Sequence, residues 1–326
     1  MNRRKFFVNS SVAVFSLPIA KSALASAQKL KLGLISDVHK DIIHDADERL
    51  DTFVKQMQEE HADAILQMGD FCIPKPANLG FMEIWNRFSG PKYHTIGNHD
   101  TDGGFKRSDT VKYYGMPDRY YSFDLHGFHF VVLDANDVPD GHKGGYPSYI
   151  AEEQVQWLKA DLEKTQLNTF IFSHQSLERS GCIRNQEDVR KVIAEARTQS
   201  GERKVAACFN GHWQIDHARM IDDIPYVHIN SASYIWLVDP KYRSARLSPE
   251  LSKKFPYVSH TIPYTKPVFT TLEIDPQAGT FQLSASHSEW MGPGPEQIGY
   301  APAAFDPQTL YPGIRARHWG LKSTTG

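Results

Sequence analysis

The chain has 326 residues, 40% of them hydrophobic and 23% charged, with a formal net charge of −2. That length supports a large core in one sizeable domain or two small ones, and the charge balance gives no basis for a nucleic-acid or membrane-binding surface. Three cysteines, none in C-x-x-C spacing, exclude a disulfide scaffold.

At the N-terminus, Asn2-Arg3-Arg4-Lys5-Phe6-Phe7 resembles a twin-arginine export signal. A modest apolar stretch over 8–20 follows, and Ala23-Leu24-Ala25 and Ala25-Ser26-Ala27 offer small-residue cleavage sites. The stretch is shorter than the roughly 20 apolar residues of a membrane span. The expectation is a signal over 1–27, delivery by the twin-arginine export machinery, a periplasmic or secreted product and no stable membrane insertion. Setting aside the four basic residues of that segment leaves 32 basic against 38 acidic side chains, a net charge of −6.

Beyond the signal, strands and helices alternate. Residues 30–36 read as a buried strand, and Leu50, Phe53, Val54 and Met57 recur at helical spacing. Strands are predicted at 64–68 and 93–96, with a short helix at 81–88 between them. Residues 121–125 and 128–133 flank His126-Gly127 and predict an antiparallel hairpin. A helix over 151–164, a strand at 169–172, a helix at 187–197 and a strand at 205–209 follow. Strands at 225–229, 268–274 and 280–284 complete the series, the last two joined by a turn at 275–279. The pattern predicts an α/β fold with mixed sheets covered by helices, one domain over 28–286. Residues 287–326, rich in Pro, Gly and aromatics, read as an irregular strap.

Five of these strands end in residues able to hold a cation: Asp37-Val38-His39, Gly69-Asp70, Gly97-Asn98-His99-Asp100, Ser173-His174 and Gly211-His212-Trp213-Gln214. Open α/β sheets bind ligands beyond the carboxyl ends of their strands, so distant residues can converge there. Two carboxylates, two amides and three imidazoles suit two hard-to-borderline cations sharing one carboxylate, not a thiolate zinc knuckle or an Fe–S cluster. Such a pair activates water and clamps a phosphoryl group, which predicts a phosphoester hydrolase acting on a small phosphoester substrate.

In these motifs the chain resembles the calcineurin-like metallophosphoesterase superfamily over roughly residues 30 to 235. The resemblance implies a four-layer αββα sandwich with two mixed β-sheets and two divalent or trivalent metal ions (Mn, Fe or Zn). By the same resemblance Asp37 and His39 would hold the first metal, Asp70 would bridge both, and Asn98, His174 and His212 would hold the second. His99 would protonate the leaving group, with Asp100 hydrogen-bonded to it and setting its tautomer. One position departs: the family's last motif is G-H-x-H, and this chain has Gln214, as the 5′-nucleotidase branch does. Gln214 is then the expected first-metal ligand, with His217 as the competitor. Between phosphodiester and phosphomonoester the single-domain layout leans toward the diester, while Gln214 pulls toward nucleotidase-like chemistry. A non-catalytic binding module on the same fold is the other class.

Other residues take plainer readings. His94 and His129 alternate within strands and read as structural; His61, His126, His260, His287 and His318 read as surface. His142 lies in the flexible loop 140–146, which could reach over a site. Asp134 reads as a cap, Asn230, Ser231 and Ser233 could line the pocket, and Cys72 and Cys182 are near enough to the motifs for a pairing after export.

Overall fold

The first six-stranded sheet grows outward from the apolar run of β1 (Leu30–Ile35), which pairs in parallel with β2 (Ala64–Gln67), itself parallel to β3 (Lys92–His94). A computed structural model describes residues 27–303 and 306–321, so the expected export signal lies outside the described residues except for Ala27. On its other side β1 pairs antiparallel with β12 (Thr270–Asp275), followed by β13 (Thr280–Leu283) and β16 (Arg317–Gly320). The second sheet runs β4 (Tyr121–Leu125), β5 (Phe128–Leu133), β6 (Thr169–Ser173), β7 (Val205–Asn210), β9 (Ile224–His228) and β8 (His217–Ile221). Two short ribbons lie outside these sheets: β10 (Tyr234–Trp236) with β11 (Thr261–Pro263), and β14 (Ser286–His287) with β15 (Gly313–Ile314).

Strand alternation decides which faces meet. On β5, Phe128, Phe130 and Val132 join the core shared with the first sheet, while Val131 and Leu133 join a second core. On β6, Phe170 and Phe172 face the first sheet, and Phe170 meets Phe281 of β13 edge-on at 5.3 Å between centroids. Each ring removed from water there contributes about 2 kcal/mol. The second core packs Val155, Leu158 and Leu162 of α4 (Glu152–Lys164) and Val189 and Ile193 of α5 (Gln186–Glu195) on the outer face. The outer face of the first sheet is covered by α1 (Ala46–Glu59), through Leu50, Phe53, Val54 and Met57, and by α2 (Leu79–Asn86). The layers are therefore helix, sheet, sheet, helix, as expected.

Several features differ from the sequence reading, the two short ribbons among them. Residues Arg107–Tyr114 form a helix, α3, whose weak apolar periodicity conceals it. The edge strand β8, short and only partly buried, also lay outside the predicted strands. The strap is not irregular throughout: β16 extends the first sheet, and Trp319 stacks on Phe281 at 5.2 Å. A last short helix, α6 (Pro249–Lys254), lies in the connection between β10 and β11.

Candidate metal centre

The carboxyl ends of β1, β2 and β3 in one sheet meet those of β6 and β7 in the other. Backbone bonds knit the turns together: Asp37 N–H donates to the Gly69 carbonyl at 3.1 Å, His39 N–H to the Asp70 carbonyl at 2.9 Å, and Gly211 N–H to the His174 carbonyl at 3.0 Å. The turns approach so closely that two glycines are required. A Cβ on Gly97 would collide with the backbone nitrogen and Oδ1 of Asp70, and one on Gly211 with the Ser36 hydroxyl. Asp37, His39, Asp70, His212 and Gln214 all adopt positive φ, between 50° and 67°. Non-glycine residues are rarely held in that region, and such strain gathers where side chains must be aimed.

The result is two donor groups that share one residue. Asp37, His39 and Asp70 form one; Asp70, His174 and His212 form the other, with ligand atoms within 4.8 Å of one another in each. His39 Nε2 stands 3.6 Å from both Asp37 Oδ1 and Asp70 Oδ2. His174 Nε2 is 3.1 Å from Asp70 Oδ2 and 3.3 Å from His212 Nδ1. His174 Nδ1–H donates to the Met68 carbonyl at 2.9 Å, which fixes the tautomer and aims the Nε2 lone pair into the cluster. Gln214 Nε2 lies 3.1 Å from His39 Nε2, so a half-turn of the amide presents its oxygen to the first group. The competitor His217 lies elsewhere, 3.9 Å from Glu178.

The donor set fits cations. Asp37 Oδ1, Asn98 Oδ1 and Gln214 Oε1 are buried oxygens that accept no hydrogen bond. Leaving buried acceptors unmet is costly, and all three belong to residues that the sequence marked as ligands. Burial alone would push the His174 imidazole down, but Asp70 and Asp37 outweigh it and hold it at about 9. Without a cation, the carboxylates thus keep a proton on His174. Burial and the neighbouring His174 push His212 down to about 4.

The His99–Asp100 pair departs from expectation. Asp100 does not hydrogen-bond His99. It is buried beneath the site, where its carboxylate accepts the backbone N–H groups of Phe71 (2.7 Å), Gly97 (2.7 Å) and Asp70 (3.1 Å). Its backbone lies in the turn after β3, which points the side chain inward to those donors. Burial and the Asp70 charge push Asp100 up to about 7. The partner of His99 is Asp102, whose Oδ2 lies 2.8 Å from His99 Nδ1. Tyr146 Oη lies 3.0 Å from the same nitrogen and donates to Asp102 Oδ1 at 2.8 Å. His99 N–H also donates to Asp70 Oδ1 at 2.8 Å. Burial would lower the His99 imidazole, but Asp70 and Asp102 hold it up at about 9. A carboxylate three residues after His99 in a tight 3-10 turn was readable in the sequence; Tyr146, distant in the chain, was not.

Asp134 pairs with Arg107 (2.5 Å) and Arg119 (3.2 Å). Ser231 and Ser233 donate to the Asp37 and Val38 carbonyls at 2.9 and 2.8 Å, bracing the first motif from behind rather than lining a pocket. Asn230 likewise faces away, donating to the Tyr311 carbonyl at 2.8 Å. His94 is buried, and His129 is held between Asp124 and Asp161. His142 Nε2 lies 3.1 Å from the Gly145 carbonyl of its own loop. Cys72 and Cys182 are buried, unpaired thiols. The strap reaches the site's edge: Arg315 and Arg317 each hold the buried Asp216, two residues after Gln214, at 2.6 Å.

Among solved structures, a dimetal phosphatase from Danio rerio is similar at a TM-score of 0.56 and 17% identity, over 80% of this chain and 96% of that one. A purple acid phosphatase from yellow lupin (Lupinus luteus) seeds gives 0.51 and 12%, over 81% and 52%. GAP50, the anchor in the inner membrane complex of Plasmodium, gives 0.51 and 12%, over 81% and 85%. At these identities the likeness shows a shared fold. No curated protein matches the chain. The family described as calcineurin-like phosphoesterase matches residues 30–216, which include every motif that converges here. The chain belongs to the calcineurin-like phosphoesterase family.

Proposed function

We propose that the chain is a phosphoester hydrolase that works with two cations, one held by Asp37, His39 and Gln214, the other by Asn98, His174 and His212, with Asp70 between them. The observation that carries this reading is the pair of buried donor groups sharing Asp70, beside three buried oxygens with no other partner. When bound, such a cation pair supplies charge against the phosphoryl oxygens and lowers the pKa of water toward about 7.

The chain's own residues do the rest. Asp70 orients His99 through the backbone N–H, and Asp102 with Tyr146 engages Nδ1, leaving Nε2 for the leaving oxygen. In the cation-free protein Asp70 and Asp102 hold His99 up at about 9, and Asp102 is the partner left to favour its protonated form, which a general acid needs, once cations take up the Asp70 charge. Asp100 is a positioning residue that holds three backbone amides in place.

Of the two ester classes we favour the small phosphodiester, from the single-domain layout. Gln214 beside His39 favours the second reading, a 5′-nucleotidase-like monoesterase. Export by the twin-arginine machinery to the periplasm or outside the cell remains part of the proposal, carried by Asn2 to Phe7.

The test is turnover of p-nitrophenyl phosphate against bis-p-nitrophenyl phosphate, with Mn²⁺, Zn²⁺, Fe or Ca²⁺ added back to chelated protein. Metal-dependent turnover of either supports the proposal, and the ratio decides the ester class. Inertness with every metal would instead favour a non-catalytic binding module.

A further inference from the structure

The turn between β7 and β8, residues 211–216, carries a donor for each cation group, and its two ends are held by different parts of the chain. At the entry, Gly211 N–H donates to the His174 carbonyl at 3.0 Å and His212 N–H to Asp37 Oδ2 at 3.1 Å. Both partners belong to the cation centre itself. At the exit, beyond Gln214, the partners belong to the C-terminal strap. Asp216 N–H donates to the Thr309 carbonyl at 3.0 Å. The Asp216 carboxylate, wholly buried, accepts Arg315 Nη1 and Arg317 Nη1 at 2.6 Å each and the Arg315 backbone N–H at 3.3 Å. Two guanidinium groups closed on a buried carboxylate hold its backbone in one place, because moving away would leave charge unmatched out of water.

The strap grips the first group by a second route. Asn230 Nδ2 donates to the strap carbonyls of Tyr311 (2.8 Å) and Gly313 (3.0 Å), while Asn230 Oδ1 accepts the Ser231 N–H at 2.8 Å. Ser231 Oγ–H in turn donates to the Asp37 carbonyl at 2.9 Å. The two routes end on the turns of Gln214 and Asp37, both assigned above to the first cation. The donors assigned to the second are tied elsewhere, His174 to the Met68 carbonyl and His212 at the entry of its turn. Gln214 also has the greater need of a brace. Its backbone sits at φ 54°, which is disfavoured outside glycine, and its amide must stay against His39. A donor on a loop is only as well aimed as the contacts that fix the loop.

We propose, on the two-cation reading above, that the C-terminal strap is a positioning element for the first cation and that the second does not depend on it. Arg315 and Arg317 act through Asp216, which fixes the exit of the turn and with it the direction of the Gln214 side chain. Neither arginine touches cation or substrate.

The test is calorimetric titration of chelated full-length protein with Mn²⁺, a readout independent of turnover. Gln214→Ala identifies the binding event of the first cation and His212→Ala that of the second. Arg317→Ala should weaken the first by about tenfold or more and leave the second within about twofold of wild type. Arg317 meets Asp216 through one nitrogen, a contact a lysine can copy, so Arg317→Lys should return the affinity to within about threefold. Added to Gln214→Ala, Arg317→Ala should change affinity by less than about twofold, since the brace then has nothing to aim. Trp319→Ala loosens the strap where it joins the first sheet, with β12 and β13 between it and β1, and should lower the thermal midpoint without moving either affinity. If Arg317→Ala fails to fold, Arg315→Ala, at a side chain 46% exposed, decides in its place. An unchanged first affinity in the folded variant, equal weakening of both cations, or the same weakening by Trp319→Ala overturns the brace and leaves the two-cation reading standing. Failure of the wild type to bind two Mn²⁺ overturns both.

Discussion

The two halves of the site are built differently. The cation half sits on strand ends, with Asp37, His39, Asp70, Asn98, His174 and Gln214 all buried and five positive-φ residues held rigidly by neighbouring backbone. The half proposed for proton transfer sits on loops: His99 and Asp102 side chains are 32% and 35% exposed, and Tyr146 is 51% exposed. Burial and rigid strands keep charged donors together in spite of their repulsion, which cation binding needs. Partial exposure leaves His99 open to solvent, as the proposed acid role needs. If the halves are distinct, substitutions in one should spare the other.

The largest effect is expected from Asp70→Ala, which should lose both cations together. Metal content after reconstitution should fall toward zero, and turnover should fall by more than the roughly 100-fold that loss of an outer partner costs. Retention of a full complement would break the comparison, because the shared carboxylate would not be shared. Next, His99→Ala should keep both cations and lose about 10²–10⁴-fold in turnover of esters with poor leaving groups. Activated p-nitrophenyl esters should suffer much less, since their leaving oxygen needs little help. Equal loss on both kinds would remove the acid role.

Asp100 and Asp102 then separate stability from chemistry. Asp100→Ala orphans three buried backbone N–H groups and should lower unfolding free energy by about 3 kcal/mol or more, measured by denaturant titration. Asp102→Asn should leave stability within about 0.5 kcal/mol and cost on the order of tenfold in turnover of poor leaving groups. Reversed outcomes would restore the pairing of Asp100 with His99 that the motif suggested.

The difference between the halves also explains what the sequence disclosed. Strand-end motifs were legible because each ligand follows an apolar run directly, so local pattern and site coincide: Asp70 after 64–68, His174 after 169–172. The same runs predicted mixed sheets covered by helices, while the four layers were what the family resemblance implied. Asp100 was misread because adjacency in sequence said nothing of direction; the turn after β3 points it inward and brings Asp102 round to His99 instead. Tyr146 and Arg317 were illegible for a different reason. Each reaches the site from a polar or irregular segment whose course depends on tertiary contacts, and no periodicity records those.

A further expected effect is one of pH. With His174 held at about 9 in the cation-free protein, a cation binding at pH 7 must displace its proton. Apparent affinity should therefore rise with pH up to about 9 and level off above it. Calorimetric titrations in two buffers of different ionisation enthalpy should show proton release at pH 7, and none would place the proton elsewhere.

The central claim is that one carboxylate, Asp70, joins two cations. Electron paramagnetic resonance of chelated protein titrated with Mn²⁺ tests it most directly. Two Mn²⁺ per chain giving the spectrum of a spin-coupled pair, abolished by Asp70→Ala, are expected. One Mn²⁺ per chain, or two with the uncoupled six-line spectrum, would contradict it.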